Sequence, residues 1–314
     1  MNAPTPEELG AVAGALGTTE FLIEKDWHVV QVLALITHIE FDGVTTVFSG
    51  GTSLSKAHNA IRRFSEDIDF RCTLRVSPET SANQRRVLRR AYFNHVKSSL
   101  DQGGYRVIDE HVRDEYRSFQ LAIEYPTIIV RSADEVLRPH IQLEISFHPP
   151  VLPAVEQTIS SFVGQGRRAA AEIPVINCTD LVETGADKFS ALVWRLTSAH
   201  LGKRADAYKP ELMRHVHDLA AIETELMERK VEFLRLAIQS IQSDLQRGDL
   251  EDVGDIVQIV TIFMTAIEAR DPLPDDYNAF IGNYVFAPQA QRITYLEARD
   301  AVIRLSKIVI ASYD

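Results

Sequence analysis

Apolar and polar positions alternate along this chain with two different periods. From Glu20 to Ile39 the apolar residues Leu22, Val29, Leu33 and Ile36 recur at helical spacing, with Thr18 or Thr19 placed to cap the start. The period then shortens. Val44-Thr45-Thr46-Val47-Phe48 is short and β-branched and predicts a strand, which Ser49-Gly50-Gly51 ends; a helical stretch is expected from Thr52. Asp67-Ile68-Asp69-Phe70 alternates polar and apolar, as a half-buried strand does. Arg85, Arg86, Arg89 and Arg90 stand at spacings that predict one basic helix face. Residues 105–111 and 118–125 predict two strands of a hairpin or meander. The cleanest alternation runs from His140 to Phe147. Its odd positions are apolar, so Glu144 shares the polar face with Gln142 and Ser146.

Beyond Pro149 the strand signal fades, and the segment to Gly166 reads as a loop-like junction. Thr179 is placed to cap a helix reaching about Ala199. Further helices are expected near 210–228, 229–247, 251–269 and 291–311, with Pro272-Leu273-Pro274 separating the last two. The pattern therefore predicts an α+β protein: a mixed sheet with flanking helices over residues 1–165, then an all-helical domain over residues 166–314.

Composition narrows the class. Apolar residues make up 45% of the 314 and charged residues 25%, the balance of a globular protein. No apolar run approaches the roughly 20 residues that span a bilayer. The opening MNAPTPEELG lacks a basic patch and an apolar core, so a cytoplasmic protein without a secretory signal is expected. Two distant cysteines, Cys72 and Cys178, exclude a disulfide framework and a four-thiolate zinc site. The net charge of −11 argues against non-specific coating of nucleic acid, leaves room for a local basic groove, and accords with a carboxylate-rich cation site.

Three features of the first half bear on chemistry. Gly50-Gly51-Thr52-Ser53 stands between a strand and a helix, where glycines let backbone approach a phosphate and Ser53 adds a hydroxyl; alone, this is also an ordinary turn. Asp67 and Asp69, two apart on a strand, point the same way, and crowded carboxylates are costly unless a cation joins them. Glu144 is a lone acid on the polar face of a later strand. Singly, each has a plain alternative: a polar edge strand for the aspartates, a solvated side chain for Glu144. Together they describe a nucleotidyltransferase site, in which Mg2+ or Mn2+ needs carboxylates from two strands (Asp67, Asp69, Glu144) and the glycine turn holds the phosphates of an NTP. The P-loop lysine motif and the kinase glycine loop are absent from the sequence.

These residues carry a family resemblance. Val47-Phe48-Ser49-Gly50-Gly51-Thr52-Ser53-Leu54-Ser55-Lys56-Ala57, followed by Phe64-Ser65-Glu66-Asp67-Ile68-Asp69-Phe70, resembles the AbiEii/AbiGii nucleotidyltransferase toxins, to which the mycobacterial MenT toxins are related. Glu24-Lys25-Asp26, Glu183 with Lys188, Ala191 and Arg195, and Arg214 with Asp218-Leu219 are similar to further motifs of that family, over roughly residues 20–225. The resemblance implies a site in the cleft between the domains. It implies that Lys188 reaches the triphosphate, that Arg195 extends its positive surface, and that Asp218 positions a base, a sugar hydroxyl or Lys188 itself. Lys56 and Arg214 join the nucleotide-binding set, with surface decoration the plain alternative for Lys56; Glu66 is expected to be structural. The implied acceptor is an RNA end, tRNA foremost, and the implied partner an antitoxin. The face of Arg85, Arg86, Arg89 and Arg90 is the leading candidate for RNA phosphates, with Arg62-Arg63 and Arg167-Arg168 behind it. Transfer to a small molecule or protein hydroxyl, and a non-catalytic nucleotide-binding module, are the alternatives.

Overall fold

Thr5 starts the first helix by a reciprocal cap: its hydroxyl accepts from the Glu8 N–H, and the Glu8 carboxylate accepts from the Thr5 N–H. The computed structural model describes residues 2–131, 137–204, 206–246, 250–269 and 271–313. Two compact units divide the chain: Met1–Asn59 with Phe64–Thr179, and Ala60–Arg63 with Asp180–Asp314. Residues 166–179, assigned from sequence to the helical half, lie in the first unit.

The first unit runs α1 (Pro6–Leu16), α2 (Glu20–Thr37), β1 (Val44–Ser49), the single turn α3 (Gly50–Thr52), β2 (Asp67–Leu74), α4 (Ala82–Gln102), β3 (Arg106–Arg113), β4 (Ser118–Glu124), β5 (Ile141–Ser146), β6 (Val155–Ile159), α5 (Phe162–Gly166) and β7 (Ile173–Cys178). Of the two expected caps for α2, Thr19 is the one used: its hydroxyl accepts from the Leu22 N–H at 3.2 Å. The strands form one mixed sheet in the order β3-β4-β5-β2-β1-β7-β6. β2 pairs antiparallel with β1 and parallel with β5, so it stands in the middle of the sheet.

Strand alternation sorts the sheet faces. Ile68, Phe70 and Cys72 of β2, Leu121 and Ile123 of β4, and Leu143 and Ile145 of β5 join Val29, Leu33 and Ile36 of α2 and Tyr92, Phe93 and Val96 of α4 in one apolar core. Asp67, Asp69, Gln142, Glu144 and Gln120 then take the opposite face by parity. Cys72 and Cys178 are free and buried.

The segment from Pro149 to Gly166 is not the loop its composition predicts. β6 and α5 lie within it, and β7 follows it. β6 forms the edge of the sheet and β7 lies between it and β1; both are short and carry little apolar alternation.

The second unit is helical: α6 (Leu181–His200), α7 (Met213–Ala221), α8 (Glu223–Glu228), α9 (Lys230–Leu245), α10 (Ile256–Ala269), α11 (Leu273–Tyr284) and α12 (Tyr295–Ile310). Asp180, not Thr179, caps α6, its carboxylate accepting from the Val182 N–H at 2.8 Å. Thr179 still belongs to the sheet, donating its N–H to the Phe48 carbonyl. Pro272-Leu273-Pro274 does not simply separate two helices. It begins α11, where a proline in the first turn forfeits no hydrogen bond. Phe189 of α6 meets Phe233 of α9 and Phe263 of α10 edge-on at 5.7 and 6.2 Å, forming the aromatic centre of this unit. The short segment Ala60–Arg63 belongs here too: Arg63 bridges to Val285, and the Arg62 carbonyl accepts from the Phe286 N–H. No helix among the described residues is long and apolar enough to cross a membrane.

Candidate functional site

Where β1 ends, the backbone turns through Gly50 at φ +77°, a left-handed conformation that favours glycine. A second constraint is steric. A Cβ on Gly50 would lie 2.0 Å from Oδ2 of Asp69, so the Asp69 carboxylate rests against bare backbone. Ser49 and Asp69 are register partners across β1 and β2, which explains the approach. The Thr52 hydroxyl donates to the Asp67 carbonyl and ties the turn to the start of β2. Gly50, Gly51 and Thr52 thus sit beside the aspartate strand. Ser53 is placed differently. It is fully buried beside Cys178, whose thiol burial pushes up to about 12 against the opposing Ser53 hydroxyl. The hydroxyl expected to meet phosphate is directed into the interior.

β2 aims Asp67 and Asp69 to one face while Ile68 and Phe70 enter the core. β5 runs parallel alongside, and Asp69 and Glu144 are register partners. Glu144 accepts from Gln120 Nε2 at 2.7 Å. Asp67 Oδ1 accepts from Arg138 Nη2 at 2.5 Å. The same guanidinium donates through Nε to Glu66 at 3.0 Å, and the Arg138 N–H donates to Glu66 at 3.1 Å. Burial alone would lower the basicity of Arg138; Asp67 and Glu66 more than offset it and raise it. Strand pairing therefore brings Asp69 and Glu144 together and sets Asp67 two residues along. The side chains do not converge further. Among the described residues no three His, Cys, Asp or Glu side chains stand as a ready ligand set. Asp67 is turned to Arg138 and Glu144 to Gln120. Arg138 escaped the sequence reading because it lies 71 residues from Asp67 and in no recognisable motif.

Glu24, Lys25 and Asp26 on α2 are consecutive and all buried. Successive helix residues point about 100° apart, so each reaches a different segment. Glu24 accepts from the Ile128 N–H at 2.6 Å and from the Thr127 hydroxyl. Lys25 pairs with Glu66 and donates to the Arg138 carbonyl at 2.6 Å. Asp26 accepts from the Phe162 N–H at 2.8 Å and pairs with Lys56. Glu66 stands just before β2 and, like Asp67, is held by Arg138, so the two do not part to opposite faces as the alternation suggested. The Lys56 ammonium, expected at the nucleotide, is buried on Asp26 and 3.6 Å from the centre of the Phe162 ring. Burial raises the Asp26 carboxyl, and Lys56 opposes that rise without cancelling it.

In the second unit Asp218 of α7 accepts a fork from Arg63, Nε to Oδ1 and Nη2 to Oδ2, both at 2.7 Å, and pairs with Lys188 of α6 at 2.8 Å. Burial would raise the Asp218 carboxyl, yet the two cations hold it well below the usual carboxylate range. Burial pulls the Lys188 ammonium down against the opposing pull of Asp218. Asp218 thus faces two cations, Arg63 and Lys188. Of the roles open to Asp218, the contact made is with Lys188 itself; its fork to Arg63 had no signal in sequence. Arg195 lies 6.0 Å from the Trp194 ring, and Arg214 is half-buried near Lys188.

The basic helix face divides in two. Arg86 and Arg90 are exposed on α4. Arg89 is buried and donates to the Glu115 carbonyl at 3.1 Å, holding a turn in which Asp114, Glu115 and Tyr116 all have positive φ. Arg85 donates to the carbonyls of Thr80 and Pro78. Arg167 forks onto Glu8, and Arg62 donates to Gln291.

A family model described as nucleotidyl transferase AbiEii toxin, type IV toxin–antitoxin system, matches residues 34–303. Among solved structures, MenT4, a nucleotidyltransferase toxin from Mycobacterium tuberculosis H37Rv, superposes with a TM-score of 0.51 at 18% identity, over 95% of this chain and 98% of that one. At that identity the likeness is one of fold. No curated protein matches the sequence.

Proposed function

The chain belongs to the AbiEii family of nucleotidyltransferase toxins of type IV toxin–antitoxin systems, and on that premise we propose that it moves a nucleoside monophosphate from an NTP to the hydroxyl of an RNA end, tRNA foremost. The observation that carries the assignment of the site is the approach of Gly50 to Asp69, with Glu144 as the register partner of Asp69. A glycine turn pressed against one of a group of strand carboxylates is what a phosphate group beside a cation requires.

The carboxylates of Asp67, Asp69 and Glu144 are hard oxygen donors, suited to magnesium or manganese. A bound divalent ion supplies charge neutralisation for the triphosphate and the leaving pyrophosphate. Gly50 and Gly51 let backbone approach the phosphates. Lys188 is assigned to phosphate oxygens, as the family resemblance implies, and Asp218 orients that ammonium. Arg195 and Arg214 add positive charge in the second unit. Arg86 and Arg90 are the exposed arginines assigned to RNA. A cognate antitoxin is the partner that membership of a toxin–antitoxin family implies.

The test is incubation with each labelled NTP, magnesium and total tRNA, beside Asp69→Asn. Label in RNA that disappears in the variant is the expected result. Label on protein or on a small molecule would move the acceptor assignment. Equal label in the variant would remove Asp69 from the chemistry.

A further inference from the structure

Asp67, on β2, gives an oxygen to a guanidinium. Arg138 Nη2 stands 2.5 Å from Asp67 Oδ1, while its Nε holds Glu66. Its backbone is pinned on both sides: the N–H donates to Glu66, and the carbonyl accepts from the buried ammonium of Lys25. Its side chain is not pinned in the same way. It is 40% exposed, against 18% for Asp67 and 11% for Glu66, so the fork can leave Asp67 for solvent without disturbing the backbone.

A divalent cation and a guanidinium on one carboxylate repel each other, and the guanidinium draws on lone pairs that the cation would otherwise use. We propose that Arg138 is the positioning residue that sets the affinity of the carboxylate site for divalent metal, by competing with the cation for Asp67. The inference rests on the metal role given above to Asp67, Asp69 and Glu144. In its favour, Arg138 donates directly to Asp67, and Glu66 gives it a second anchor to retain when it releases the first. Lys25 also pairs with Glu66, so the loss of Arg138 does not leave that buried carboxylate without a cation.

The experiment follows binding of manganese(II) alone by the electron paramagnetic resonance signal of the free ion. The full-length proteins are the wild type, Arg138→Gln, Arg86→Gln, and Asp69→Asn in the wild-type and Arg138→Gln backgrounds. Arg138→Gln is expected to bind manganese about ten-fold more tightly than wild type, the modest factor suited to a screened, partly exposed pair. Arg86→Gln makes the same change in net charge on the exposed face of α4 and is expected to bind as wild type. Asp69→Asn is expected to remove binding in both backgrounds. Unchanged or weaker binding by folded Arg138→Gln, still abolished by Asp69→Asn, overturns the competition and leaves the metal site standing. Equal tightening in Arg86→Gln overturns it in favour of overall charge. Binding absent throughout, or indifferent to Asp69→Asn, overturns the metal site and this inference with it. Circular dichroism checks the fold. Should Arg138→Gln not fold, Arg138→Lys gives the same reading, because it keeps the charge but not the fork over both carboxylates; tightening of two-fold or more supports the competition, and none overturns it.

Discussion

Gly50 cannot carry a side chain without moving Asp69. Its φ of +77° costs an L-residue about 1–2 kcal/mol, and an added Cβ would overlap Oδ2 of Asp69 at 2.0 Å. Gly50→Ala is expected to lower kcat/KM about 100-fold, because a shift of roughly 1 Å in a reacting group has that effect, while lowering stability only by the strain. Steady-state kinetics beside a thermal melt separates the two. Asp218 is the opposite case, a residue whose first effect is on stability. Asp218→Asn leaves Arg63 and Lys188 buried without their anion, and a loss of about 3–5 kcal/mol is expected. The pH dependence has a definite sign. The folded carboxyl lies well below its unfolded value, so its contribution is fully present above about pH 3.9 and is lost only as the pH falls through the folded value. Urea midpoints of wild type and variant should differ constantly from pH 7 to about pH 5 and converge only in stronger acid. Convergence near neutrality would mean that Asp218 is not held ionised by its two partners.

At the scale of an element, α4 shows how a helix face misleads when read by spacing alone. Arg85 and Arg89 turn toward the rest of the first unit and hold carbonyls of residues 78, 80 and 115, whereas Arg86 and Arg90 face solvent. The two pairs should respond differently. Arg86→Ala with Arg90→Ala is expected to weaken tRNA binding and flatten its salt slope by about two units, one for each lost phosphate contact, with thermal stability unchanged. Arg89→Ala is expected to lower stability, because the left-handed turn at 114–116 loses the guanidinium that satisfies it. Filter binding across a salt series, with melts of the same proteins, gives both readings. Identical slopes would remove α4 from the RNA surface. Helix α2 makes the complementary point: three consecutive charges, buried on one helix, tie down Ile128, Glu66 and Lys56 in turn, so the motif serves the placing of segments around the site.

At the scale of the whole molecule, Ala60–Arg63 lies within the first half of the sequence and folds with the second unit. Arg63→Ala is therefore expected to lower hydrogen-exchange protection in peptides of α6 and α7, while peptides of β2, β4 and β5 keep theirs. Loss of protection in the sheet instead would assign Arg63 to the first unit. The net charge of −11 acts at this scale also. An acidic chain that takes RNA must do so through a local basic surface, and with Arg89 buried and Arg62 and Arg167 already hydrogen-bonded to residues of the chain that surface is smaller than a tally of arginines implies.

What the sequence determined by itself is what short-range periodicity encodes. The strand of Val44–Ser49, the alternation that puts Asp67 and Asp69 on one face, the parity of Glu144 and the helical character of the second half all follow from residues within one or two turns of each other. β6, at the sheet edge, and β7, next to it, were illegible because both are short and lack a clean apolar alternation, and α11 because a proline that interrupts a helix and one that begins it look alike in sequence. Only the tertiary structure decided how charges are paired. Arg138 with Asp67, Lys56 with Asp26, Arg63 with Asp218 and Arg167 with Glu8 are separated by 30 to 159 residues along the chain. A charged side chain finds its partner by proximity in space, under the cost of burying it alone, and neither quantity is written in the local pattern.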